Sequence, residues 1–323
     1  MNTAVPRVIA TFIAAGIAGY LQRPLVSTPI KTSTVTCDVA VLDPAGSPIS
    51  GLRVEDFEVV VAGEPVAIAR ASTAPAGLSI ILIVDATNSQ PLKRYEISAA
   101  VANLWLPGLS PGDRVRIGVL ATPLTLSAWL PDDPRMSAGL VRPLIERAGP
   151  EPSPLWDAAH VAIEALAGET APRMIVILSD GRSNANVHGL DDVADRALTA
   201  GVAISVVSEG GERLLAQGAD AAARIRPDAS LEWLADQTGG VFVPDGVARR
   251  TMRPQQDPFA YVRELVQTPN KPGPLLTQVT SALRQRYRLS FLTPADGLLH
   301  RLEVRVARTG AAVHVKKRFL APR

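Results

Sequence analysis

Cysteine is almost absent from this sequence, and histidine is scarce. The 323 residues include one cysteine, Cys37, and four histidines. A single thiol cannot form an internal disulfide or a cysteine zinc site, and the histidines show no zinc-ligand spacing. Cys37 lies in the alternating segment STVTCDVAVLD, where a small side chain packed in a sheet is the expected role. These residues exclude a disulfide scaffold and give no support to zinc chemistry.

An excess of charge of either sign is also missing. The chain has 33 basic and 31 acidic residues, for a formal net charge of +2. Nucleic-acid-binding proteins usually carry a clear basic patch or excess, so we expect no nucleic-acid partner. A hydrophobic content of 47% is that of a globular protein.

No apolar run is long enough to predict a transmembrane helix. The longest, Val8 to Leu21, has about fourteen residues, whereas a spanning helix needs roughly twenty. It follows Arg7 and contains the small residues Gly16 and Ala18, which suit a cleavage site. We interpret residues 1–29 as an export signal, with an uncleaved N-terminal anchor as the alternative. The expected location is periplasmic or extracellular, with or without membrane anchoring.

Three motifs of catalysis are lacking. The sequence has no G-x-S-x-G elbow, no glycine-rich loop ending in Gly-Lys-Ser/Thr, and no H-E-x-x-H. Asp85 and Asp180 could act as an acid/base pair or hold a catalytic metal, but no candidate nucleophile or base adjoins them. We therefore predict a protein that is not an enzyme, and place a metal-dependent hydrolase well below a binding function.

The pattern of apolar residues divides the chain into segments. Residues 30–76 alternate with period two, which predicts antiparallel strands. Residues 77–245 alternate between apolar strands and helices, which predicts a doubly wound, mainly parallel α/β sheet. One of its strands is expected at Leu124 to Trp129. A linker over 246–273 and a helix with strands over 274–323 follow. Neither terminal β segment could bury much core alone, so we expect the two to pack into one sandwich-like unit.

Oxygen-bearing residues follow the predicted strands of the α/β region. In LSIILIVDATNSQPL, a buried strand ends at Val84 and leads into Asp85, Thr87 and Ser89. A second strand leads into Ser179-Asp180-Gly181, and Ser153 precedes a helix. Ligands of open parallel sheets bind at the carboxyl ends of strands. A set of carboxylates and hydroxyls suits Mg²⁺ or Mn²⁺ better than zinc or copper.

These loops resemble those of the von Willebrand factor type A (VWA) fold. Asp85-Ala-Thr87-Asn-Ser89 is similar to its D-x-S-x-S loop, with threonine replacing the middle serine. PSPLWDAA resembles the second loop, in which a threonine usually stands at the place of Ser153, and VILSDGRSN resembles the third, which supplies Asp180. Both substitutions keep a hydroxyl group.

A wider resemblance extends from about Ser33 to Phe319. The lead-in VAVLDPAGSPISGLRVEDFEVVVAGEPVAI is similar to that of the VWA-related proteins described from acidobacteria, and LADQTGGVFV and the C-terminal strands resemble that family's later landmarks. The matching positions of the lead-in are Asp43, Gly46, Gly51, Leu52, Asp56 and Phe57.

The resemblance implies a metal-ion-dependent adhesion site that binds protein ligands. The predicted metal ligands are Asp85, Thr87, Ser89, Ser153 and Asp180, with an open coordination position that accepts an Asp or Glu of a protein partner. Asp157 suits the dipole of its helix and is left outside the ligand set. Asn88 is interpreted as shaping its loop, and Asn184 and His188 as ordinary loop residues, with a place at the rim of the site as the alternative.

Two other functions are compatible with the same loops. In the first, the protein is a structural envelope component whose metal site has degenerated, because two of the five ligand positions are substituted. In the second, the chain is the VWA subunit of a metal chelatase or of an AAA-type machine, although such subunits work inside the cell and an export signal counts against that function. The sequence predicts neither the identity of a partner nor an oligomeric state.

Overall fold

The computed structural model describes residues 32–74, 77–86, 91–149, 152–208, 229–244 and 272–323. The predicted export segment, Thr87, Ser89 and most of the predicted linker lie outside these ranges. Within them, no helix is long and apolar enough to cross a membrane.

Fourteen strands are present in the described ranges. They are β1 (Thr32–Leu42), β2 (Phe57–Val61), β3 (Glu64–Val66), β4 (Ile68–Thr73), β5 (Ser79–Val84), β6 (Arg114–Val119), β7 (Thr125–Leu126), β8 (Arg173–Ser179), β9 (Val202–Ser208), β10 (Phe242–Pro244), β11 (Tyr287–Pro294), β12 (Leu299–Val306), β13 (Ala312–His314) and β14 (Arg318–Leu320).

Six α-helices accompany these strands in the same ranges. They are α1 (Pro91–Ala100), α2 (Pro134–Glu146), α3 (Leu155–Ala165), α4 (Leu190–Ala200), α5 (Ala229–Thr238) and α6 (Pro272–Arg284). Helix α1 continues into a π-helical turn at Val101–Trp105, and short 3₁₀ turns lie at Val54–Asp56 and Leu106–Gly108.

A six-stranded sheet forms the centre of the α/β domain. Its order is β10-β9-β8-β5-β6-β7, and all neighbours are parallel except β6 and β7. The strand order reverses between β5 and β8, which makes the gap between their carboxyl ends the topological switch point. The predicted doubly wound, mainly parallel fold class is confirmed.

The strand predicted at Leu124 to Trp129 is shorter than expected. Only Thr125–Leu126 pairs with β6, in antiparallel register. Just beyond, the hydroxyl of Ser127 accepts the N–H of Ile117 at 3.0 Å, in a place where a backbone carbonyl would continue the ladder. A side chain that replaces a backbone acceptor ends regular pairing.

Helices cover the central sheet on both faces. Alternate residues of β5 point to opposite sides: Ile80 and Leu82 pack with α1, α2 and α6, whereas Ile81 and Ile83 pack with α3, α4 and α5. All six residues of β5 are buried. A strand buried on both faces reads as a continuous apolar run, which explains the sequence from Leu78 to Val84.

The two terminal β segments form one sandwich-like unit. One sheet has the order β13-β1-β11-β4 and the other β14-β12-β2-β3, so each sheet combines strands from both ends of the chain. Val39, Phe57, Leu289, Phe291 and Phe319 belong to the core that these sheets enclose. Because neither terminal segment supplies a complete sheet, the sandwich requires both, as the sequence predicted.

A partly buried ion cluster lies at the end of α6, beside β1 and β11. Asp38 binds Arg288 through both carboxylate oxygens, at 2.8 and 3.0 Å, and its Oδ2 lies 3.6 Å from Nη2 of Arg286. The side chain of Arg286 is only 5% exposed. Burial lowers the pKa of Arg286 to about 10, although Asp38 opposes this shift. One carboxylate therefore balances two guanidinium groups.

We predict that Asp38→Ala destabilises the protein by roughly 3 kcal/mol, because it leaves the buried Arg286 without a counter-ion. Urea unfolding at pH 7 measures the change. Glu303→Gln is the matched control, since Glu303 pairs with Arg305 on the surface and its loss should leave the unfolding midpoint unchanged. Equal midpoints for the Asp38 variant and the wild type would contradict the assignment.

Candidate functional site at the switch point

Asp85 lies at the carboxyl end of β5, directly beside the end of β8. Its backbone N–H donates to the carbonyl of Leu178 at 2.9 Å, so the strand pairing extends to Asp85 itself. The residue is 7% exposed, whereas Val84 before it is fully buried. The sheet thus places a carboxylate at the first position after the apolar core.

Two serine hydroxyls lie close to the carboxylate of Asp85. Oγ of Ser179, the last residue of β8, donates to Oδ2 of Asp85 at 2.8 Å. Oγ of Ser153, just before α3, lies 3.3 Å from the same oxygen. Ser179 is fully buried and Ser153 is 4% exposed. The structure therefore brings together two of the predicted ligand residues, Asp85 and Ser153.

The backbone carbonyl oxygen of Arg182 lies 3.0 Å from the hydroxyl oxygen of Ser153. A hydroxyl has one proton and two lone pairs, and the carbonyl of Arg182 is closer to Oγ than Asp85 is. The one proton of Ser153 serves either the carbonyl of Arg182 or the carboxylate of Asp85, and in both cases the serine oxygen keeps its lone pairs for a further contact.

The loop after β8 fixes the backbone of Ser153. The Asn184 side chain accepts the N–H of Ser153 at 2.9 Å, and the Asn184 N–H donates to the Ser153 carbonyl at 2.8 Å. Ser183 Oγ donates to the same carbonyl at 3.2 Å. These contacts join two loops that are about thirty residues apart in the sequence.

The same loop caps the start of α3. Pro154 is the N-cap residue and has no side-chain oxygen to accept the free N–H groups of the first turn. Ser183 Oγ accepts the N–H of Leu155 at 3.2 Å, and Asn186 Oδ1 accepts that of Trp156 at 2.8 Å. Helix α3 therefore depends on the loop after β8 for its cap.

Asp157 binds the far end of this loop. Its carboxylate accepts the backbone N–H groups of Val187 and His188, and the His188 ring lies 2.8 Å away through Nδ1. Burial raises the pKa of Asp157, but these hydrogen bonds outweigh it and hold the pKa below its ordinary value of 3.8. The His188 ring stacks on that of His160, with centroids 4.0 Å apart.

The contacts of Asp180 differ from those of Asp85. Its Oδ1 accepts the N–H of Arg182 at 3.0 Å, and its Oδ2 lies 3.6 Å from Nε of Arg182. The Arg182 side chain is 54% exposed, and ion pairs in such settings contribute little. Asp180 thus lies at the predicted strand end, and the exposed guanidinium group of Arg182 pairs with it only weakly. Thr87 and Ser89 lie outside the described residues.

The donor set around Asp85 fits a hard divalent cation. Its members are oxygen atoms of a carboxylate and of hydroxyls, and the carbonyl of Arg182 lies within reach of the Ser153 proton. In the described part of the chain, no three His, Cys, Asp or Glu side chains form a group that could hold a metal ion. The predicted set has two carboxylates and relies on hydroxyls for the rest.

Several residues that build the site were not among the predicted ligands. Ser179 contacts Asp85 directly, and Asn184, Ser183 and Asn186 hold the loops together. Ser179 could have been found from its place as the last residue of β8, directly before Asp180. Nothing in the local sequence marks Ser183, Asn184 and Asn186 as contact residues, because the groups that they bind lie on another element.

Comparisons with known proteins add similarities of fold. No family model matches the sequence, and neither does any curated protein. An aerotolerance-related membrane protein from Bacteroides fragilis is 17% identical, with 53% of this chain and 94% of that chain covered and a TM-score of 0.39. The SpRpn10 VWA domain is 13% identical, with 52% and 87% covered and a TM-score of 0.37.

The pilus adhesin SpaC from Lactobacillus rhamnosus GG is 8% identical, with 83% of this chain and 48% of that chain covered and a TM-score of 0.45. This chain therefore spans about half of SpaC. The strand order of the central sheet, with helices on both faces and its switch point between β5 and β8, is that of a VWA-like domain.

We predict that Asp157→Asn lowers stability at pH 7 by about 1–2 kcal/mol, because an amide accepts the two N–H groups less strongly than a carboxylate. The pKa of Asp157 is lowered by folding, so its contribution is complete well above pH 3.8 and is lost as the pH falls below that value. Urea unfolding from pH 7 to pH 3 should show the two proteins converging.

Asp132→Asn is the control for this experiment, because Asp132 is exposed before α2. A constant difference between the Asp157 variant and the wild type across the pH range would show that the carboxylate charge does not hold the loop.

Proposed function

We propose that this protein binds a protein partner through a Mg²⁺- or Mn²⁺-dependent adhesion site on its VWA-like domain. The observation that carries the proposal is the meeting of Asp85 and Ser153 at the switch point, where Oγ of Ser153 lies 3.3 Å from Oδ2 of Asp85 and 3.0 Å from the carbonyl oxygen of Arg182. Asp180, Thr87 and Ser89 complete the proposed ligand set.

The bound ion would supply one open coordination position for a carboxylate of the partner. The residues of the chain have separate roles in this scheme. Asp85 supplies the buried negative charge, Ser179 orients that carboxylate by donating to Oδ2, and Ser153 supplies a neutral oxygen. Neutral ligands leave the ion electrophilic, so the site favours an Asp or Glu side chain over a neutral one.

We further propose that the protein acts outside the cytoplasm and is not an enzyme. The apolar segment Val8 to Leu21 supports export. In the described part of the site, the hydroxyls of Ser153 and Ser179 face Asp85 and the ring of His188 binds Asp157, an arrangement that supplies no activated nucleophile.

The proposal predicts that Mg²⁺ or Mn²⁺ binds with a stoichiometry of about one and that Asp85→Ala abolishes this binding. Isothermal titration calorimetry on residues 22–323, which include all the described elements, measures both. Ser153→Ala should weaken binding at least tenfold, because it removes a neutral ligand while Asp85 remains. Circular dichroism confirms that each variant is folded.

Asp132→Asn is the matched control, since it removes one carboxylate from the same domain without touching the switch point. A site that binds the ion only together with a partner's carboxylate would give no signal with the metal alone. The titrations are therefore repeated with saturating acetate, which supplies a carboxylate. Absence of metal binding under both conditions, with folded protein, would overturn the adhesion mechanism.

A second function, a metal-independent structural role, is favoured by two contacts. The carboxylate of Asp180 is bound by Arg182, and that of Asp85 already accepts the proton of Ser179. In this case the cluster stabilises the ends of β5 and β8 without an ion. The thermal midpoint would then be the same in EDTA and in Mg²⁺, and Asp85→Ala would lower it equally in both.

A further inference from the structure

A second concave surface lies at the junction of the α/β domain and the sandwich. It is a groove of about 450 Å³ between α5, β10 and β13, and its lining includes Glu232, Trp233, Asp236, Gly240, Phe242 and His314. Strand β10 is three strand spacings from β5, or roughly 14 Å, so the groove is separate from the switch point.

The junction beside the groove requires glycine. A Cβ at Gly239 would lie 2.4 Å from the backbone nitrogen of Lys316, and one at Gly240 would lie 1.9 Å from the carbonyl oxygen of Ile204. Lys317 also donates its backbone N–H to the carbonyl of Gln237. The Gly239 contact and the Lys317 hydrogen bond thus keep the end of α5 close to the segment after β13, and the Gly240 contact keeps the chain entering β10 close to β9, both beside the groove.

The groove combines negative charge with aromatic rings. Glu232 and Asp236 are four residues apart on α5 and therefore share one face of the helix. Trp233 and Phe242 line the same groove while packing partly against the core below it, which limits their movement. Carboxylates and the faces of aromatic rings both attract organic cations, and a planar guanidinium can satisfy both at once.

The chain already places one cation at this groove. Nζ of Lys317 lies 2.8 Å from Oδ1 of Asp236, and both side chains are substantially exposed, so this ion pair can exchange for another. His314 adds no positive charge at neutral pH, because burial lowers its pKa; Asp236 opposes this shift and Lys317 reinforces it.

We propose that the groove binds the guanidinium group of an arginine side chain presented by a protein partner. The carboxylates of Glu232 and Asp236 bind the charge, and Trp233 and Phe242 contact the flat faces of the group. This site is independent of the metal site, and it selects a basic residue where the switch point selects an acidic one.

The test uses the full-length protein and two probes, N-acetyl-argininamide and tetramethylammonium. Binding is followed by NMR through the indole N–H signal of Trp233. The chain has four tryptophans, and the signal of Trp233 is identified by its loss in Trp233→Phe. We expect saturable binding of the arginine probe with an affinity on the order of millimolar, as suits one side chain. Glu232→Gln combined with Asp236→Asn should weaken it at least tenfold.

The control is Asp191→Asn combined with Asp195→Asn. This pair has the same spacing on the exposed face of α4 and removes the same total charge. Phe242→Leu, which keeps an apolar side chain but removes the aromatic ring, should weaken binding several-fold in folded protein.

Three results would overturn the proposal. The first is the absence of a saturable shift with the arginine probe. The second is an equal loss in the control, which would show only long-range attraction. The third is tighter binding of tetramethylammonium, which would assign the groove to free quaternary cations.

Discussion

Burial of the central sheet on both faces is the constraint on which the rest of this structure depends. All six side chains of β5 are buried and five of them are apolar, so the polar groups of this segment lie at its ends, with Ser79 at the start and Asp85 just beyond Val84. Asp85 and the pair Ser179-Asp180 occupy the carboxyl ends of the two strands that flank the switch point. The chemistry of the site is therefore concentrated by the same packing that stabilises the domain.

The site is a composite of distant segments. Asp85 comes from the end of β5, Ser153 from the start of α3, and Ser179 from the end of β8, while the loop after β8 both fixes Ser153 and caps α3. A change in that loop would therefore alter the position of the Ser153 hydroxyl and the stability of the helix together. Asp157 extends this coupling to the ring of His188.

The fold class was predictable because its signals are local. Apolar runs such as Leu78 to Val84 and the period-two alternation in β1 follow directly from which faces are buried. The meeting of Asp85 with the end of β8 followed from the rule that parallel strands end at one edge of a sheet, whereas Ser153, which precedes α3, was expected there from the resemblance of its loop to that of the VWA fold. The remaining contacts join residues that are distant in the sequence. The hydroxyl of Ser127 ends β7 by accepting the N–H of Ile117, and the side chain of Asn184 accepts the N–H of Ser153, about thirty residues earlier. Thr87 and Ser89 remain predictions.

The pairing of β1 with β11 has a mechanical consequence. Eight residue pairs join these strands, from Thr32 with Pro294 to Val39 with Tyr287, in antiparallel register. Tension applied to the chain before Thr32 loads these pairs in shear, so the hydrogen bonds must break together rather than one after another. If a partner is bound at the switch point as proposed, and the chain before Thr32 is anchored, the force between them would pass through the sandwich and load these eight pairs.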